Sequence, residues 1–435
     1  MKSSKKKRIL MLLENCPYPQ DVRVRREAVA LTAAGYLVSV ICRAAPRQPP
    51  REIVNGVHVY RYSSPAAANS FLGYLREYGY SLAASIALSL LVLFREGFDV
   101  IHAHNPPDIF VFIALFYKIF GKRFVFDHHD LSPEMYQARF PGKASPVVYS
   151  ALVFLEKLTC LAADHVIATN ESYKRMELER GGVSPHRITV VRNGIELSRL
   201  RHFEPDPGLL QKGKIVIGYV GVMGYQDGLD YLLRALNHLR RDLGRTDFYA
   251  ILIGDGDAWT NLKKLSSYLD LDEFVWLPGA IFGDDLRHYL SAADICVVPD
   301  PSNGYNDRST MVKMMEYMAL EKPIVAFDLP ENRFTAQQCA LYVQPNNELE
   351  FAKAMVQLMD DPTLRKSLGA HGIHRLRTAL AWDYSVSHLL DAYAKVAPFP
   401  ACPTPTSLPR KEETIVKTVQ CPPARSTKVE SATSR

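Results

Sequence analysis

The chain has 435 residues, enough for two large domains or three small ones, and its 47% apolar and 23% charged residues are typical of a globular protein with substantial cores. A formal net charge of +6 is too small to indicate nucleic-acid binding, and we expect no nucleic-acid partner. The seven cysteines are widely spaced and form no CxxC pair, which argues against a disulfide framework or a zinc site and favours a reducing compartment.

Positive charge is concentrated at the amino end of the chain. Residues 1–50 carry ten Lys or Arg but only three Asp or Glu. Such a basic edge fits attraction to phosphates or to an anionic membrane surface, and it fits a solubilising tail equally well. Only five apolar residues follow the basic residues 2–8, too few for a signal-peptide core. We therefore expect a cytoplasmic protein that can contact the inner membrane face.

The first half of the chain alternates short apolar runs with longer helical stretches. Strands are predicted at 8–13, 37–42, 57–62, 100–102, 124–127 and 165–168. Helices are predicted at 22–34, 107–120 and 147–163 and over a long stretch that ends near residue 94. The strands are continuous apolar runs, as in parallel sheets covered by helices on both faces. The longest apolar stretch, 82–94, is shorter than the ~18 residues of a membrane span, so we expect a buried helix rather than a membrane-associated one.

The alternation stops at 201–213, a segment rich in proline, glycine and aspartate that we interpret as a linker. It restarts with strands predicted at 215–220, 249–253, 275–277, 295–298, 324–327 and 341–343. Two such series predict an α/β protein with two doubly wound, Rossmann-like domains, at 1–200 and 214–381, in which ligands bind at the carboxyl ends of the strands. Residues 398–435 hold seven prolines and many Ser and Thr without apolar periodicity, which predicts a disordered tail.

The segment NDRSTMVKMMEYMA at 306–319 carries the most information about function. Ser309 or Thr310 is a good helix N-cap. The methionines that follow recur at helical spacing and are expected to form a core stripe: Met311, Met314, Met315 and Met318.

Lys313 and Glu316 are the only charged residues from 311 to 320, on a helix that is apolar nearly all round and is therefore expected to be largely buried. Buried charges need partners, so these two either pair with each other or face a polar ligand. A nucleotide-sugar would satisfy both, because a carboxylate accepts hydrogen bonds from ribose hydroxyls and an ammonium at a helix start suits a diphosphate. Arg308, just before the helix, adds a second cation.

A glycine-rich loop, GYVGVMGYQDGL at 218–229, follows the first strand of the second domain. Glycines such as Gly221 and Gly224 let the backbone approach a phosphate closely, although glycine-rich turns after strands are common. The loop matches neither GxGxxG nor the P-loop pattern, which argues against a nicotinamide dehydrogenase.

His129 and Asp130 come directly after the strand predicted at 124–127, where a doubly wound fold places its ligands. The histidines and carboxylates around them could suggest a metal site. Their spacing fits no standard zinc motif, however, so we expect no metal.

Two further groups in the first domain are open to a structural and to a functional interpretation. His104 lies near the end of the strand predicted at 100–102, and it belongs either to a site or to the start of the next helix. Arg23 and Arg26 lie near the start of the first helix, where they either bind a phosphate or are surface charges.

Three motifs resemble those of the retaining glycosyltransferases of family four, which have the GT-B fold: NGI at 193–195, GDG at 254–256 and KxxEYMAxxKPIVA at 313–326. The pair of His129 and Asp130 resembles the His-Asp element of the bacterial polysaccharide or O-antigen type. The resemblance spans roughly residues 8–396. It implies two domains that face each other across a cleft, with a helix at 382–396 that crosses back to the first.

The resemblance also implies roles for individual residues. The second domain would bind the nucleotide-sugar and the first would bind a glycan or lipid-linked acceptor. Glu316 would bind the ribose, and His129 would approach the donor sugar. The backbone amides of Ser309, Thr310 and Met311 would hold the diphosphate. Transfer would proceed with retention.

The sequence departs from the family pattern at several places. Arg308 stands where many members have a Glu, and Val222 and Asp227 stand where many have an Arg and a Lys. We expect Arg308 and Lys313 to meet the diphosphate charge, and Asp307 to replace the missing Glu. The departures leave two alternatives open: a non-catalytic donor-binding partner of a polysaccharide complex, and a GT-B-like nucleotide-sugar epimerase.

The predicted site therefore has three parts. The expected catalytic residues are His129, Asp130, Arg308 and Lys313. The expected donor-binding residues are Gly221, Gly224, Asp307, Ser309, Thr310, Met311 and Glu316. The expected acceptor-side residues are Arg23, Arg26 and His104. We expect no metal or other cofactor, because cations and amide dipoles of the chain can stabilise the departing diphosphate. The expected partners are a nucleotide-sugar donor, a glycan or lipid-linked acceptor and an anionic membrane surface.

Overall fold

The computed structural model describes residues 6–63, 71–197, 200, 203–210 and 212–398. The predicted disordered tail lies outside these residues from 399 onward, as does part of the predicted linker. Within the described residues the chain forms two mainly parallel β-sheets, each packed between helices.

The first sheet has eight strands: β1 (Arg8–Leu12), β2 (Leu37–Arg43), β3 (Arg51–Val54), β4 (Val57–Tyr62), β5 (Val100–His104), β6 (Arg123–His128), β7 (His165–Ala168) and β8 (Ile188–Val190). Their order across the sheet is β3-β4-β2-β1-β5-β6-β7-β8, and all are parallel except β3. The chain order reverses between β1 and β5, which is the switch point where a doubly wound sheet opens a crevice.

The second sheet has six parallel strands: β9 (Ile215–Val220), β10 (Phe248–Ile253), β11 (Val275–Gly279), β12 (Ile295–Val298), β13 (Ile324–Phe327) and β14 (Ala340–Val343). Their order is β11-β10-β9-β12-β13-β14, so the second switch point lies between β9 and β12. The central strands of both sheets are almost entirely buried, because helices cover both faces.

The helices of the first domain are α1 (Val22–Ala33), α2 (Phe71–Arg95), α3 (Val111–Lys118), α4 (Ser132–Arg139), α5 (Pro146–Ala162) and α6 (Glu171–Glu179). Those that follow are α7 (Pro207–Leu210), α8 (Leu229–Arg241), α9 (Trp259–Tyr268), α10 (Gly283–Ser291), α11 (Val312–Ala319), α12 (Pro330–Ala336), α13 (Glu348–Asp360), α14 (Pro362–Arg375) and α15 (Trp382–Val396).

Two strands of the first sheet were not predicted. β3 is an edge strand with mostly accessible side chains, so it lacks the continuous apolar run that marks the others. It pairs with β4 through a tight turn at Asn55 and Gly56, which have φ angles of 52° and 80°. An Asn-Gly pair is a strong hairpin signal, so the sequence did contain the information. β8 has only three residues, too few to show a pattern.

The predicted linker is partly structured. Leu209 of the short helix α7 is buried in the core of the second domain, and Asp206 caps this helix by accepting a hydrogen bond from the Leu209 amide at 3.0 Å. The Asp206 amide in turn donates to the carbonyl oxygen of His288 in α10 at 3.2 Å. The chain turns at the prolines and glycines of this segment, and the described part of the segment packs against the second domain.

Helix α15 packs on the first domain, although it follows the second in sequence. Trp382, Leu389 and Tyr393 lie in the core that covers β1 and β2. The Tyr393 hydroxyl hydrogen-bonds to Nδ1 of His102 at 2.8 Å, and the Trp382 amide donates to the carbonyl of Ile195 at 3.0 Å. The helix thus joins the end of the second domain to the back of the first sheet.

Helix α2 is not the buried helix that the sequence predicts. Its stretch Arg76–Arg95 is long and apolar enough to cross a membrane by length and composition, with mean hydropathy 1.5, yet only 28% of it is buried. The folded helix does not span, because the chain returns directly from it into β5 of the same sheet. The folded protein therefore leaves much of the apolar surface of α2 exposed.

Candidate active site

A cavity of ≈ 270 Å³ lies between the two sheets. On the first-domain side it is lined by residues just past the carboxyl ends of strands: Asn15 after β1, His129 and Asp130 after β6, and Thr169 after β7. On the second-domain side it is lined by the segment between β12 and α11: Tyr305, Ser309 and Thr310. The cavity thus occupies the place where two facing doubly wound sheets direct their strand ends.

Asp127, the buried residue near the end of β6, is the centre of the first-domain wall. Its two carboxylate oxygens accept hydrogen bonds from Nε and Nη2 of Arg23, each at 2.7 Å. One of these oxygens also contacts Nδ1 of His104 at 2.9 Å and Nδ1 of His129 at 3.4 Å. Burial opposes ionisation of this carboxyl, but Arg23 and the two imidazoles hold the pKa of Asp127 well below its usual range.

Arg23 and His104 both brace Asp127, and of the two only Arg23 also lines the cavity. The remaining Nη1 group of Arg23 donates to the carbonyl of Val191 and to Oδ1 of Asn193, both at 3.0 Å. With Asp127 holding the other nitrogens, the guanidinium has little hydrogen-bonding capacity left for a ligand. His104 is fully buried and does not line the cavity.

His129 is the imidazole that borders the cavity. Its amide donates to Oδ1 of Asn105 at 2.8 Å, which fixes the turn after β6. Asp127 holds the ring through Nδ1, so Nε2 is the ring nitrogen that can meet a ligand. Burial lowers the pKa of His129, but the hydrogen bond and charge of Asp127 and the charge of Asp130 outweigh it and raise the pKa above its ordinary value.

Hydrogen bonds across the cleft connect the two domains beside the cavity. The Tyr305 hydroxyl donates to Oδ1 of Asp130 at 2.9 Å. Nδ2 of Asn170 donates to the carbonyl of Arg308 at 2.8 Å and to Oγ1 of Thr310 at 2.9 Å. The segment before α11 is therefore held against the first domain, and Asp130 is a bridging residue as well as a cavity wall.

The start of α11 differs from the sequence prediction. Met311, not Ser309 or Thr310, occupies the N-cap position, and no side chain caps the helix. The Ser309 hydroxyl donates to the carbonyl of Tyr305 at 2.9 Å, and the Ser309 amide donates to the carbonyl of Asn306 at 3.2 Å. Among the residues that the structure describes, the amides of Thr310 and Met311 donate to no protein acceptor. Two of the three amides expected at a diphosphate are thus free.

Lys313 pairs with Asp300 and not with Glu316. Its Nζ lies 3.0 and 3.1 Å from the two carboxylate oxygens of Asp300 and donates to the hydroxyl of Tyr219 at 3.2 Å. Burial lowers the pKa of Lys313, but Asp300 and Asp227 raise it overall, so the ammonium stays charged. The expected catalytic cation is therefore already neutralised by a buried carboxylate.

The glycine loop after β9 lies over this ion pair. A Cβ at Gly221, whose φ is 157°, would approach the Tyr219 hydroxyl to 2.8 Å and Cε of Lys313 to 3.4 Å, so only glycine fits. Oδ2 of Asp227 accepts a hydrogen bond from the Gly224 amide at 2.8 Å. Burial raises the pKa of Asp227 to about 6, with Lys313 opposing the rise.

Glu316 lies on the accessible side of α11, next to the exposed Val312. The expectation of a helix buried all round is wrong for this side, although Met314, Met315 and Met318 are fully buried. Desolvation raises the pKa of Glu316, against the charges of Arg26 and Arg287. The Glu316 side chain is exposed and therefore accessible to a ligand.

The remaining predicted residues lie outside the lining of the cavity. Nη1 of Arg308 donates to the carbonyl of Gly304, four residues back in the same segment. Oδ2 of Asp307 accepts a hydrogen bond from Ser302 at 3.2 Å. Arg26 lines a separate groove between α1 and α15 and donates to the carbonyl of Gly194. The others lie outside the lining of the cavity, which thus brings together five of the predicted residues: Arg23, His129, Asp130, Ser309 and Thr310.

Comparison with known proteins decides the family. The family described as Glycosyltransferase Family 4 matches residues 20–199, and that described as Glycosyl transferases group 1 matches residues 214–361, so one match falls in each domain. The chain belongs to glycosyltransferase family 4. The D-inositol 3-phosphate glycosyltransferase of Salinispora tropica is 24% identical over 401 residues, which are 86% of this chain and 80% of that protein.

Solved structures show that this family 4 enzyme has the GT-B fold, which confirms the prediction of two doubly wound α/β domains. Sucrose-phosphate synthase from Thermosynechococcus elongatus superposes with a TM-score of 0.73 at 20% identity, over 90% of this chain and 99% of that one. HepE of Anabaena, in complex with UDP-glucose, superposes with a TM-score of 0.67 at 16% identity, over 89% of this chain and 99% of that one.

One group of potential metal ligands lies close together among the described residues of this glycosyltransferase. The ligand atoms of Glu27, His102, His104 and Asp127 all lie within 4.8 Å of one another. Both oxygens of Asp127 already accept hydrogen bonds from Arg23, so a cation there would lie against a buried guanidinium. Burial and the charge of Asp127 also raise the pKa of Glu27 well above its usual range, which favours a protonated ligand. We therefore assign this group to the structural network.

Sequence reasoning missed several residues that shape the site. Asp127 lies near the end of β6, and Asp300 lies two residues past β12, so the rule that strand ends carry function could have found both. Asn170 and Tyr305 carry no local signal, because their partners Thr310 and Asp130 lie 140 and 175 residues away in sequence.

Proposed function

We propose that this glycosyltransferase moves a sugar from a nucleotide-diphosphate sugar to a glycan or lipid-linked acceptor, with retention and without a metal ion. The observation that carries the proposal is the cavity in which His129 and Asp130 of the first domain face Ser309 and Thr310 of the second. A ligand bound there touches both domains, as a donor and an acceptor brought together for transfer must.

The donor is proposed to lie along the start of α11. The free amides of Thr310 and Met311 lie at the N-terminus of α11. The positive end of the helix dipole lies there too and attracts a diphosphate. Glu316 lies one and a half helical turns further along, accessible and suited to accept hydrogen bonds from ribose hydroxyls. Arg308, at the accessible edge of the segment before α11, supplies the positive charge.

Glycosyl transfer builds negative charge on the departing diphosphate and positive charge on the sugar. Amide dipoles and a guanidinium can stabilise the negative charge on the diphosphate without a metal ion, because they are in place before the reaction. Lys313 lies beneath the glycine loop and is paired with Asp300. Its proposed role is to support the loop, and it does not neutralise the diphosphate charge directly. His129, held through Nδ1 by Asp127, directs Nε2 to the donor sugar.

Two relatives suggest which substrates to test. HepE of Anabaena has been crystallised with UDP and with UDP-glucose, so UDP-glucose is the first donor to test here. The name of the Salinispora tropica relative adds a phosphorylated cyclitol to the glycan and lipid-linked acceptors. We place the activity in polysaccharide or glycoconjugate biosynthesis, in the cytoplasm and at the inner membrane face.

The test is a thermal-shift panel of nucleotide diphosphates and nucleotide-sugars, followed by an assay of nucleotide release with candidate acceptors. A donor that binds the native state raises the melting temperature. We expect one nucleotide-sugar to do so, and to release its nucleotide in the presence of acceptor with or without a chelator. Binding without release would indicate a non-catalytic partner, and an isomerised sugar from donor alone would indicate an epimerase. A panel without any stabilising nucleotide would contradict the proposal.

A further inference from the structure

Helix α2 buries serines beside the leucines that it packs in the core, and it leaves other apolar side chains exposed. The residues that it buries against the sheet include Ser81, Ser85 and Ser89, all fully inaccessible. Two of these serines satisfy their hydroxyls inside the protein, Ser81 with Glu14 at 3.2 Å and Ser89 with the carbonyl of Ile86 at 2.7 Å. On a helix in water the serines would face the solvent.

The opposite side of α2 is apolar and exposed. Ile86, Leu90 and Leu91 are more than a third accessible, and Phe94 is 85% accessible. Phe94 lies four residues from Leu90 and eight from Ile86, so the three share one side of the helix. Single exposed apolar residues are ordinary, but a continuous row on a helix that buries its serines indicates an apolar environment outside the fold.

The exposed apolar surface continues over α3 and α5, which lie in the same helical layer. The hydroxyls of Ser89 in α2 and Tyr117 in α3 are 2.9 Å apart, and Nζ of Lys118 at the end of α3 donates to the carbonyl of Ala162 at the end of α5 at 2.7 Å. We use the term outer face for six exposed apolar side chains of this layer: Leu90, Phe94, Phe116, Ile119, Phe120 and Phe154.

The charges of these three helices are strongly one-sided. Their sequences contain two carboxylates, Glu77 and Glu156, and both are buried. Of their four cations, Arg76, Arg95 and Lys157 are exposed, whereas Lys118 is half-buried and paired with Asp164. The outer face is therefore apolar with positive charges and without an exposed carboxylate, which complements an anionic lipid surface.

We propose that the outer face of α2, α3 and α5 docks on an anionic lipid bilayer. The helices lie on the membrane with the aromatic and aliphatic side chains in the headgroup region, while the serine side of α2 stays on the sheet. A second copy of the chain fits less well, because a two-fold interface sets the same surface against itself and would bring unpaired cations together.

The inference goes beyond the donor site and does not depend on it. If the acceptor is lipid-linked, docking would place the first domain at the surface where that acceptor lies. Vesicle binding is measured without donor or acceptor, so it can fail while the transferase activity stands, and the activity can fail while binding stands.

The test is flotation of the full chain with vesicles of phosphatidylcholine alone and with phosphatidylglycerol added. The variant Phe94→Ser/Ile119→Ser removes the two most exposed side chains of the outer face, 85% and 79% accessible. The matched control Tyr268→Ser/Phe282→Ser removes side chains of 84% and 81% accessibility from the second domain. Melting temperatures report folding, and light scattering reports the oligomeric state.

We expect the wild type and the control to bind anionic vesicles, with weaker binding at high salt or to phosphatidylcholine alone. The outer-face variant should bind about tenfold less or weaker still, with an unchanged melting temperature. Binding by this variant equal to the wild type, or no wild-type binding to anionic vesicles, would overturn the proposal. A wild-type dimer that the same two substitutions convert to a monomer would assign the face to a second copy instead. If the double variant misfolds, Arg95→Gln, which keeps the apolar side chains, should still reduce binding to anionic vesicles.

Discussion

Each wall of the cleft contains a buried carboxylate paired with a cation, but the two hydrogen-bond networks differ in size. In the first domain, Asp127 near the end of β6 binds Nε and Nη2 of Arg23 and two imidazoles. In the second domain, Asp300 just past β12 binds the single ammonium of Lys313. Each wall sets a buried carboxylate at a strand end and neutralises it with a cation from a helix, but only the first builds a wider network around it.

The difference shows which residues are left for a ligand. Buried charges that satisfy one another shape the walls and cannot also bind substrate without losing their partners. The groups beside them remain available: His129 on the first wall, and Glu316 with the free amides of Thr310 and Met311 on the second. The predictions below test whether the buried charge pairs stabilise the fold while the neighbouring groups bind the ligand.

The largest expected effect is on stability, from removal of the first carboxylate. Asp127→Asn leaves the buried guanidinium of Arg23 without its ionic partner, so we expect a loss of about 3–5 kcal/mol of unfolding free energy. Asp300→Asn should lose less, about 1–3 kcal/mol, because Lys313 retains Tyr219 and the nearby Asp227. Urea unfolding of both variants measures the comparison. Equal losses, or a larger loss for Asp300→Asn, would show that the two walls do not differ as proposed.

The next effect is on turnover. His129→Ala should lower the rate of sugar transfer about a hundredfold or more and change donor affinity little, because the imidazole is proposed to act on the donor sugar. The control His186→Ala removes an exposed imidazole of the same domain and should behave as the wild type. Initial rates over a range of donor concentrations separate kcat from KM. A full rate in the His129 variant would remove this residue from the active site.

A smaller effect is expected on donor binding. Glu316→Ala should weaken donor binding about 10–100-fold, equivalent to the loss of charge-assisted hydrogen bonds worth about 1.5–3 kcal/mol. Glu273→Ala, in the loop that precedes β11 at the opposite edge of the sheet, is the matched carboxylate control. Calorimetric titration with the nucleotide diphosphate measures both. Unchanged affinity in the Glu316 variant would defeat the ribose assignment.

The smallest effect is a pH dependence of stability. The folded-state pKa of His129 is raised above the ordinary value of 6.5, so the ion pair with Asp127 stabilises the fold fully below pH 6.5 and less as pH rises through the raised pKa. His129→Asn should show a shallower decline of melting temperature above pH 6.5 than the wild type. If the melting temperatures of both proteins decline in parallel, titration of His129 does not cause the pH dependence.

The sequence predicted the fold well because continuous apolar strands and interleaved helices are local patterns. Most predicted strands lie within a residue or two of the observed ones, and the exceptions, β3 and β8, are an accessible edge strand and a strand of three residues. The cavity also lies past the carboxyl ends of strands, where the pattern predicts ligands. Residues 82–94 were misjudged because composition gives the apolarity of a helix and not the side that it buries.

Sequence alone determined that this chain forms two doubly wound domains, since burial and periodicity act over a few neighbouring residues. It also predicted that strand ends and the helix near residue 312 carry the chemistry. The tertiary structure decided which charges pair. Arg23 finds Asp127 across 104 residues, and Lys313 chooses Asp300 over the nearby Glu316. A buried charge is satisfied by whichever partner the fold brings within hydrogen-bonding distance, and spacing along the chain does not reveal that partner.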